Sequence, residues 1–238
     1  MQTIGHDIGL LIATARAGGG TALSEVQSKA FLIACGIPVP DGCVVTDAAD
    51  AGKVLLDIGP PCVVKAVSAQ LTHKTEAGGV IFPVETPEAA EDACRTIARR
   101  VAAYRSDITL DGFLVEAYRP AQPEWILALR NDPHFGATIM FGLGGVYVEV
   151  LRQVSFRLAP LAERDIEALI TDKPAMRILD GLRGRPAADR AALKSVIRTL
   201  SNLSLWPGLA EISEIEINPL AVSEHGAFAL DALITLRS

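Results

Sequence analysis

The character of the chain changes near residue 110, where helix-like periodicity gives way to short β-type segments. These segments follow one another and are separated by Pro, Gly or Asn-Asp-Pro: GFLVEAY, EWILALR, ATIMFG and YVEVL. Short runs of this kind with turn residues between them predict an antiparallel sheet. Because helical and strand-like segments are mixed before and after it, we predict an α+β protein with two lobes divided near residue 110.

Length and composition are compatible with this architecture. The chain has 238 residues, of which 50% are hydrophobic and 21% are charged, so it can bury one large core or two smaller ones. Its apolar runs are far shorter than the roughly 20 residues of a membrane span, and we expect a cytoplasmic protein with no membrane partner. The net charge of −6 argues against a nucleic-acid partner.

The cysteines indicate the same kind of compartment. They show no CxxC spacing and lie mostly at apolar positions: Cys35, Cys43, Cys62 and Cys94. Scattered cysteines of this kind are typical of buried free thiols in a reducing environment, so we expect neither a disulfide nor a cysteine metal site.

Local signals place several helices and the ends of the chain. Residues 4–17 look helical and run into three glycines, so residues 1–23 are expected to form a helix and a Gly-rich linker outside the main core. Ser24 and Gln27 form a capping-box pattern, and Thr86 precedes a proline at the first helical position. Further helices are expected near 163–170, 175–179 and 190–205, and the last has Leu193, Val196, Ile197, Leu200 and Leu203 on one side. Two strands, ISEIEINPLAV and AFALDALI, close the chain.

An unusual lysine lies in the apolar strand CVVKAV. A buried ammonium group such as that of Lys65 is costly unless an anion meets it. The strand is followed by His73, Lys74 and Thr75 and by a pair of glycines, Gly78 and Gly79. Lysine suits phosphate oxygens, and glycines allow backbone N–H groups to approach them closely. Together these residues indicate a phosphate-binding loop.

Oxygen ligands for a metal ion lie near the other end of the chain. Glu216 and Asn218 are two residues apart on a predicted strand and therefore share a face, and Asp231 on the following strand can meet them. Mg²⁺ prefers such hard oxygen ligands and keeps positions for water and nucleotide phosphates. A nucleotide·Mg²⁺ site explains both ends of the chain jointly.

The motifs that carry these residues resemble a known family. They are LSEVQSKAFLIACGIPVP, VVKAVSAQLTHKTEAGGV, NDPHFGATIMFGLGGVYVEVLRQVSFRLAPL, GLRGRP, EIEINPLAV and ALDALI, within residues 23–236. The chain resembles the ATP-grasp (beta) subunit of the ADP-forming acyl-CoA synthetases, or acetate–CoA ligases, which is related to the beta subunit of succinyl-CoA synthetase. The resemblance implies an ATP-grasp fold whose two α+β lobes, residues 24–110 and 111–238, hold ATP between them.

The resemblance also implies roles for individual residues. Lys65 corresponds to the lysine that contacts the nucleotide phosphates, and THKTEAGG, with Lys74, Thr75, Gly78 and Gly79, to the loop that covers them. Glu116 corresponds to the hinge acid near the adenine, although many relatives carry their glutamate at the position of Ala117. Glu124 corresponds to a second nucleotide-contacting acid. Asn218 and Asp231 match the Mg²⁺ ligands, while Glu216 either joins them or orients Asn218.

The implied reaction is acyl-CoA + ADP + phosphate ⇌ acid + ATP + CoA. An acyl phosphate forms, a histidine of a partner alpha subunit takes the phosphoryl group, and ADP accepts it at the grasp site. The partner would also bind CoA and the small carboxylic acid, so a hetero-oligomer is expected. His73 resembles a histidine proposed as a second phosphoryl carrier, and imidazole is a competent nucleophile.

Alternative interpretations remain for the function and for single residues. The chain could be a free-standing ATP-dependent carboxylate ligase that acts through an acyl phosphate, or a non-catalytic ATP-binding module. Lys65 could reach water from a strand end, His73 could only form hydrogen bonds, and Lys74 could be a solvated charge. Three arginines and one acid could serve either the ligand site or structural ion pairs: Arg157, Arg183, Arg185 and Glu149.

Overall fold

The computed structural model describes residues 2–17, 19–68, 70–71, 74–145, 151–182 and 184–237, with side chains from residue 8 onward. Their contacts divide the chain into two compact units. Pro40–Arg119 form what we call the small unit, and Met1–Val39 with Pro120–Ser238 form the large unit. Three residues of interest from the sequence lie outside the described residues: His73, Glu149 and Arg183.

The described chain contains both helices and strands. In order they are α1 (Gln2–Ala17), α2 (Glu25–Ala34), β1 (Gly42–Val45), α3 (Ala51–Ile58), β2 (Cys62–Val67), β3 (Val80–Val84), α4 (Pro87–Tyr104), β4 (Gly112–Ala117), β5 (Trp125–Asp132), β6 (Gly136–Leu143), β7 (Val154–Leu158), α5 (Glu163–Leu169), α6 (Arg190–Asn202), β8 (Ile212–Ser223), β9 (Gly226–Ala229) and β10 (Ala232–Leu236). Short 3₁₀ helices lie at Ala48–Asp50, Pro174–Asp180, Leu203–Leu205 and Pro207–Glu211.

The small unit is a four-stranded sheet covered by helices α3 and α4. The strand order is β1-β4-β2-β3, and every pairing is antiparallel. Helix α4 begins as its sequence predicts, because the Thr86 side chain accepts a hydrogen bond from the Ala89 amide and Pro87 occupies the first turn. Its apolar face, with Ala90, Ala93, Cys94, Ile97 and Val101, is buried in the small-unit core.

The large unit contains the predicted antiparallel sheet. The strand order is β10-β8-β5-β6-β7, and β9 pairs with β8 off this path. The rings of Trp125 on β5 and Phe141 on β6 stack with centroids 5.2 Å apart inside its core. Helix α6 buries Leu193, Val196, Ile197 and Leu200 in the same core, which confirms the face predicted from their spacing.

The N-terminal segment is part of the large-unit core and not an appendage to it. Ile8, Ile12 and Ala15 lie at helical spacing on one face of α1 and are all buried there. After the helix the chain runs beside β10, where the Leu23 amide donates to the Ile234 carbonyl at 2.9 Å. The expectation that residues 1–23 lie outside the main core therefore differs from the structure, because the apolar face of α1 needs a partner.

The boundaries between the units also differ from the expected division near residue 110. Strand β4 lies between β1 and β2, so the chain leaves the small unit only after Arg119. Helix α2 belongs to the large unit, where Phe31 packs edge-on against Trp206 at a centroid distance of 6.2 Å. Its capping box of Ser24 and Gln27 forms as predicted.

The segments AFALDALI and YVEVL are each predicted to form one strand. The segment AFALDALI is not one strand but two, β9 and β10, interrupted at residues 230–231. The predicted strand YVEVL falls almost wholly on residues 146–150, outside the described residues, and the strand observed after it is β7.

The cysteines agree in part with their predicted burial as free thiols. All four cysteines are free, but only Cys62 and Cys94 are buried, while Cys35 is half-buried and Cys43 is exposed. Burial raises the pKa of Cys35 to about 12. Within the described ranges, the helices are too short or too polar to cross a membrane.

Replacement of Ile12 tests whether α1 belongs to the large-unit core. Ile12 is 2% exposed, whereas Leu10 on the same helix is 64% exposed. Ile12→Ala is expected to lower the free energy of unfolding by about 3 kcal/mol, since a buried side chain is removed and leaves a cavity. Leu10→Ala is the matched control and is expected to change it by less than about 0.5 kcal/mol. Urea unfolding measures both, and equal effects of the two substitutions would contradict the packing of α1.

Candidate functional site

Lys65 and Glu116 form a buried ion pair in the small unit. The Lys65 Nζ atom lies 2.5 Å from the Glu116 Oε1 atom, and the two side chains are 9% and 2% exposed. The pairing of β2 with β4 places Lys65 opposite Leu114 and Val63 opposite Glu116. Residues two apart share a face of a sheet, so both charged groups lie on the face opposite to the small-unit core. The anion beside Lys65 in this structure is therefore a protein carboxylate.

The surroundings of Glu116 fix the position of its side chain. Gly42 on β1 lies directly opposite it, and a Cβ atom at Gly42 would approach the Glu116 Cβ to 2.8 Å. The thiol of Cys62 has a raised pKa because of burial and, to a smaller extent, because of the charge of Glu116. Ala117, the alternative hinge position, lies opposite Cys62 and so points to the other face from Lys65. Of the two candidate positions, 116 is the one whose side chain lies on the Lys65 face.

The loop after β2 folds back to the strand beside Lys65. The Gly79 amide donates to the Lys74 carbonyl at 2.7 Å, and the Gly78 amide donates to the Thr75 carbonyl at 3.0 Å. The Gly79 carbonyl in turn accepts from the Ala66 amide at 2.8 Å. The glycine amides thus donate within the loop, and phosphate binding by Lys74, Thr75, Gly78 and Gly79 stays a prediction.

Gly78 is required for two local reasons. Its φ angle of +65° is one that L side chains rarely adopt, and a Cβ atom there would lie 2.8 Å from the Arg100 Cδ atom. His73, the predicted phosphoryl carrier, lies outside the described residues, so its role also stays a prediction.

In the large unit, the structure brings the three predicted metal ligands together. The Asn218 Nδ2 atom donates to the Glu216 Oε1 atom at 3.3 Å, as expected for residues two apart on β8. The backbone N–H of Asn218 donates to the backbone carbonyl of Asp231 at 3.2 Å. The side-chain Oδ1 atom of Asp231 accepts from the backbone N–H of Ala232 at 2.8 Å. The spacing argument therefore holds for their proximity, while their role as metal ligands stays a prediction.

The donor set of this cluster fits Mg²⁺ better than a transition metal. Among the described residues there is no group of three or more His, Cys, Asp or Glu side chains that could hold a metal ion. Mg²⁺ does not need one, because it is usually held by one or two carboxylates together with water and substrate phosphates. A Cβ atom at Gly144 would lie 3.1 Å from the Asn218 Oδ1 atom, so glycine leaves space beside that oxygen.

Glu124 lies close to this cluster. Its carbonyl accepts a hydrogen bond from the Gly144 amide at 2.8 Å, and its carboxylate borders on Gly145, whose φ angle of +56° favours glycine. Burial raises the pKa of the Glu124 carboxyl group. The two glycines directly after β6, Gly144 and Gly145, are the sequence signal for this arrangement.

Three further features were missed at the sequence level. Glu214 precedes Glu216 on the same face of β8, and burial together with the charge of Glu216 raises its pKa. Gly42 fits against Glu116, which only strand register could reveal. Phe82 and Tyr118 stack with ring centroids 5.4 Å apart, and Tyr118 follows Glu116 by two residues.

The described arginines that were left open make structural contacts. Arg157 lies 3.9 Å from the Asp172 carboxylate, and Arg185 donates to the Gln122 carbonyl at 3.2 Å. His134 lies in the turn between β5 and β6, where its amide donates to Asp132. These contacts favour the structural interpretation of both arginines.

The class of protein follows from comparison of the chain with known families. A family model described as an ATP-grasp domain matches residues 14–236, and the chain belongs to this ATP-grasp family. The predicted fold class and the stated resemblance are confirmed.

Individual relatives resemble the chain over most of its length. The beta subunit of acetate–CoA ligase [ADP-forming] I from Pyrococcus furiosus is 40% identical over 214 residues, which cover 90% of this chain and 91% of that protein. Acetyl-coenzyme A synthetase 1 of Ca. Korarchaeum cryptofilum, in complex with coenzyme A and Ca-AMPCP, is 36% identical with a TM-score of 0.90, covering 95% of this chain and 98% of that one. A second structure of that synthetase, with coenzyme A and Mg-AMPPCP, has a TM-score of 0.82, 35% identity and the same coverage.

Substitution of Gly42 tests the close fit around Glu116. Gly42→Ala is expected to lower the free energy of unfolding by about 1–3 kcal/mol, because the added methyl group forces β1 and β4 apart. Gly9 in α1 has open space around its Cα atom, so Gly9→Ala is the control and is expected to stabilise by up to about 1 kcal/mol. Thermal and urea unfolding measure both variants. A neutral Gly42→Ala variant would show that Glu116 is not held from this side.

Glu214 predicts a pH dependence of stability. Because its folded pKa is raised above the ordinary 4.5, the folded state binds this proton more tightly than the unfolded chain does. That contribution is present at low pH and is lost as the pH rises through the folded pKa. Glu214→Gln is therefore expected to be more stable than the parent at pH 7 and equal to it near pH 4, as measured by urea unfolding. Arg130 lies opposite Glu214 on β5, and its charge acts to lower the pKa of Glu214. A less stable variant at pH 7 would mean that this attraction outweighs the cost of burying the Glu214 charge.

Proposed function

We propose that this chain is the ATP-grasp beta subunit of an ADP-forming acid–CoA ligase that works with an alpha subunit. The observation that carries the proposal is its similarity to a ligase beta subunit across nearly the full length of both proteins. The reaction would be acyl-CoA + ADP + phosphate ⇌ acid + ATP + CoA. Two groups of side chains support it. Lys65 would supply a cation for phosphate, and Asn218 with Glu216 would supply oxygen ligands for a metal ion.

In this proposal the small unit neutralises the nucleotide phosphates. Phosphoryl transfer depends mostly on positioning and on charge neutralisation, so the Lys65 ammonium would stabilise charge on the phosphate oxygens. The loop with Lys74, Thr75, Gly78 and Gly79 would cover them, since it joins β2 beside Lys65. Glu124 would contact the rest of the nucleotide, while Glu116 lies beside Lys65.

The large unit would hold Mg²⁺ through Asn218, Asp231 and Glu216. When bound, Mg²⁺ would neutralise charge on the phosphates. Glu216 accepts a hydrogen bond from the Asn218 amide nitrogen, which turns the Asn218 amide oxygen away from Glu216 and leaves it available as a ligand. The structure of the Ca. Korarchaeum cryptofilum synthetase with Mg-AMPPCP supports the choice of metal.

The partner would supply the remaining chemistry. Acyl-CoA and phosphate would give acyl phosphate and CoA; a histidine of the alpha subunit would take the phosphoryl group and release the acid. ADP would then accept that group to give ATP and restore the histidine. The related synthetase structure, with its phosphohistidine segment pointing towards the nucleotide binding site, supports this order. His73 as a second carrier, and a cytoplasmic location, belong to the same proposal.

Lys65 provides the direct test of this function. Lys65→Met is expected to weaken ATP·Mg²⁺ binding by at least about tenfold and to abolish ATP-dependent phosphorylation of a histidine on a co-purified alpha subunit, because a buried charge opposite phosphate is lost. Lys53→Met removes an exposed lysine of α3 and serves as the control, with no change expected. Titration calorimetry and acid-labile, base-stable phosphate labelling measure the two effects. Unchanged labelling in Lys65→Met would rule out this assignment.

The same experiment separates the other two functions. Turnover of a carboxylic acid and ATP by the chain without a partner would favour a free-standing ligase. ATP binding without phosphoryl transfer to any co-purified alpha subunit would favour a non-catalytic ATP-binding module.

A further inference from the structure

We infer that Glu116 is a positioning residue that holds Lys65 for the phosphates, and not a contact for the adenine ring. The inference rests on the proposed function, in which Lys65 meets the nucleotide phosphates. It gives Glu116 a role that depends wholly on its ion-pair partner. Loss of Glu116 should therefore affect phosphate binding and leave recognition of the base intact.

Both members of the pair are anchored by backbone pairing on two sides. Strand β4 lies between β1 and β2, and strand β2 lies between β4 and β3. Glu116 is opposite Gly42 on one side and Val63 on the other, while Lys65 is opposite Leu114 and Val80. Neither Cα atom can move without disturbing two strand pairings, so the reach of Glu116 to Lys65 is set by the sheet itself.

The side chains of Glu116 and Lys65 differ in solvent exposure. The carboxylate side chain is 2% exposed and the lysine side chain is 9% exposed, so the lysine is the more accessible of the two. The Glu116 Oε1 atom is 2.5 Å from the Lys65 Nζ atom, and the Glu116 charge also acts on the Cys62 thiol below it. A carboxylate held in this way offers little surface to an adenine amino group.

The chemistry of lysine explains how the pair would work. An ammonium group has three N–H donors, so a lysine that is held by a carboxylate can also donate to phosphate oxygens. Lysine has a long and flexible side chain, and a fixed carboxylate restricts it to rotamers that place the charge in one position. A charge positioned before the ligand arrives costs less to order when phosphate binds.

Ligands with and without the adenine base distinguish positioning of Lys65 from contact with adenine. Glu116→Gln keeps the size of the side chain and removes its charge. It is expected to weaken binding of ATP·Mg²⁺ and of inorganic tripolyphosphate·Mg²⁺ by the same factor, about tenfold or more, with adenosine binding unchanged. Titration calorimetry of the full chain with the three ligands measures this. Loss of affinity for ATP and adenosine but not for tripolyphosphate would overturn the inference and make Glu116 a base contact.

A double-mutant cycle shows whether Glu116 acts through Lys65. In the Lys65→Met background, Glu116→Gln is expected to cause no further loss of affinity for tripolyphosphate, because the group that it positions is gone. Equal further losses in both backgrounds would contradict positioning. If Lys65→Met by itself leaves the affinities for ATP and tripolyphosphate unchanged, the phosphate site fails instead, and with it the proposed function.

A second variant covers the case in which loss of the carboxylate prevents folding. Glu116→Asp keeps the charge and shortens the side chain by one methylene group. It is expected to give a smaller loss that is again equal for ATP and tripolyphosphate. A loss confined to ATP and adenosine in this variant would overturn the inference. Thermal unfolding of each variant confirms that the titrated protein is folded.

Discussion

The ion pair between Lys65 and Glu116 is the interaction on which the proposed chemistry of the small unit depends. Two opposite charges in the interior are tolerated only when each meets the other with good geometry, and loss of one partner leaves an uncompensated buried charge. The antiparallel pairing of β2 with β4 meets this demand by placing the two residues diagonally on one face. The helices cover the other face, so the sheet separates the hydrophobic core from the charged pair.

Strand β8 in the large unit likewise separates apolar from polar side chains, through a single alternating sequence. Ile215 and Ile217 point into the core, while Glu216 and Asn218 point to the opposite face. Glu214 extends that row as a second acidic group, and burial together with the charge of Glu216 raises its pKa. A cation bound beside such a row would relieve this repulsion, which is the physical reason for proposing a metal site at this strand.

Local sequence signals predicted the elements well, and non-local pairing decided the rest. The capping box of Ser24 and Gln27, the Thr86-Pro87 helix start and the apolar spacing of α6 depend on neighbours along the chain and formed as predicted. The packing of α1, the unit boundaries and the closeness of Gly42 to Glu116 depend on residues far apart in sequence. Patterns along the chain contain no measure of register, so the lysine was expected to meet only phosphate and its carboxylate partner was assigned elsewhere.

The discontinuous large unit explains why the candidate residues lie so far apart in the chain. The segment at 21–23 runs beside β10, and β5 pairs with β8, so the start, the middle and the end of the chain build one sheet, with residues 40–119 inserted between its parts. Each unit positions its own polar groups through its own strand pairings. The lysine and the oxygen ligands are therefore ordered by independent sheets, and a substitution in one sheet should change one set of contacts without altering the geometry of the other.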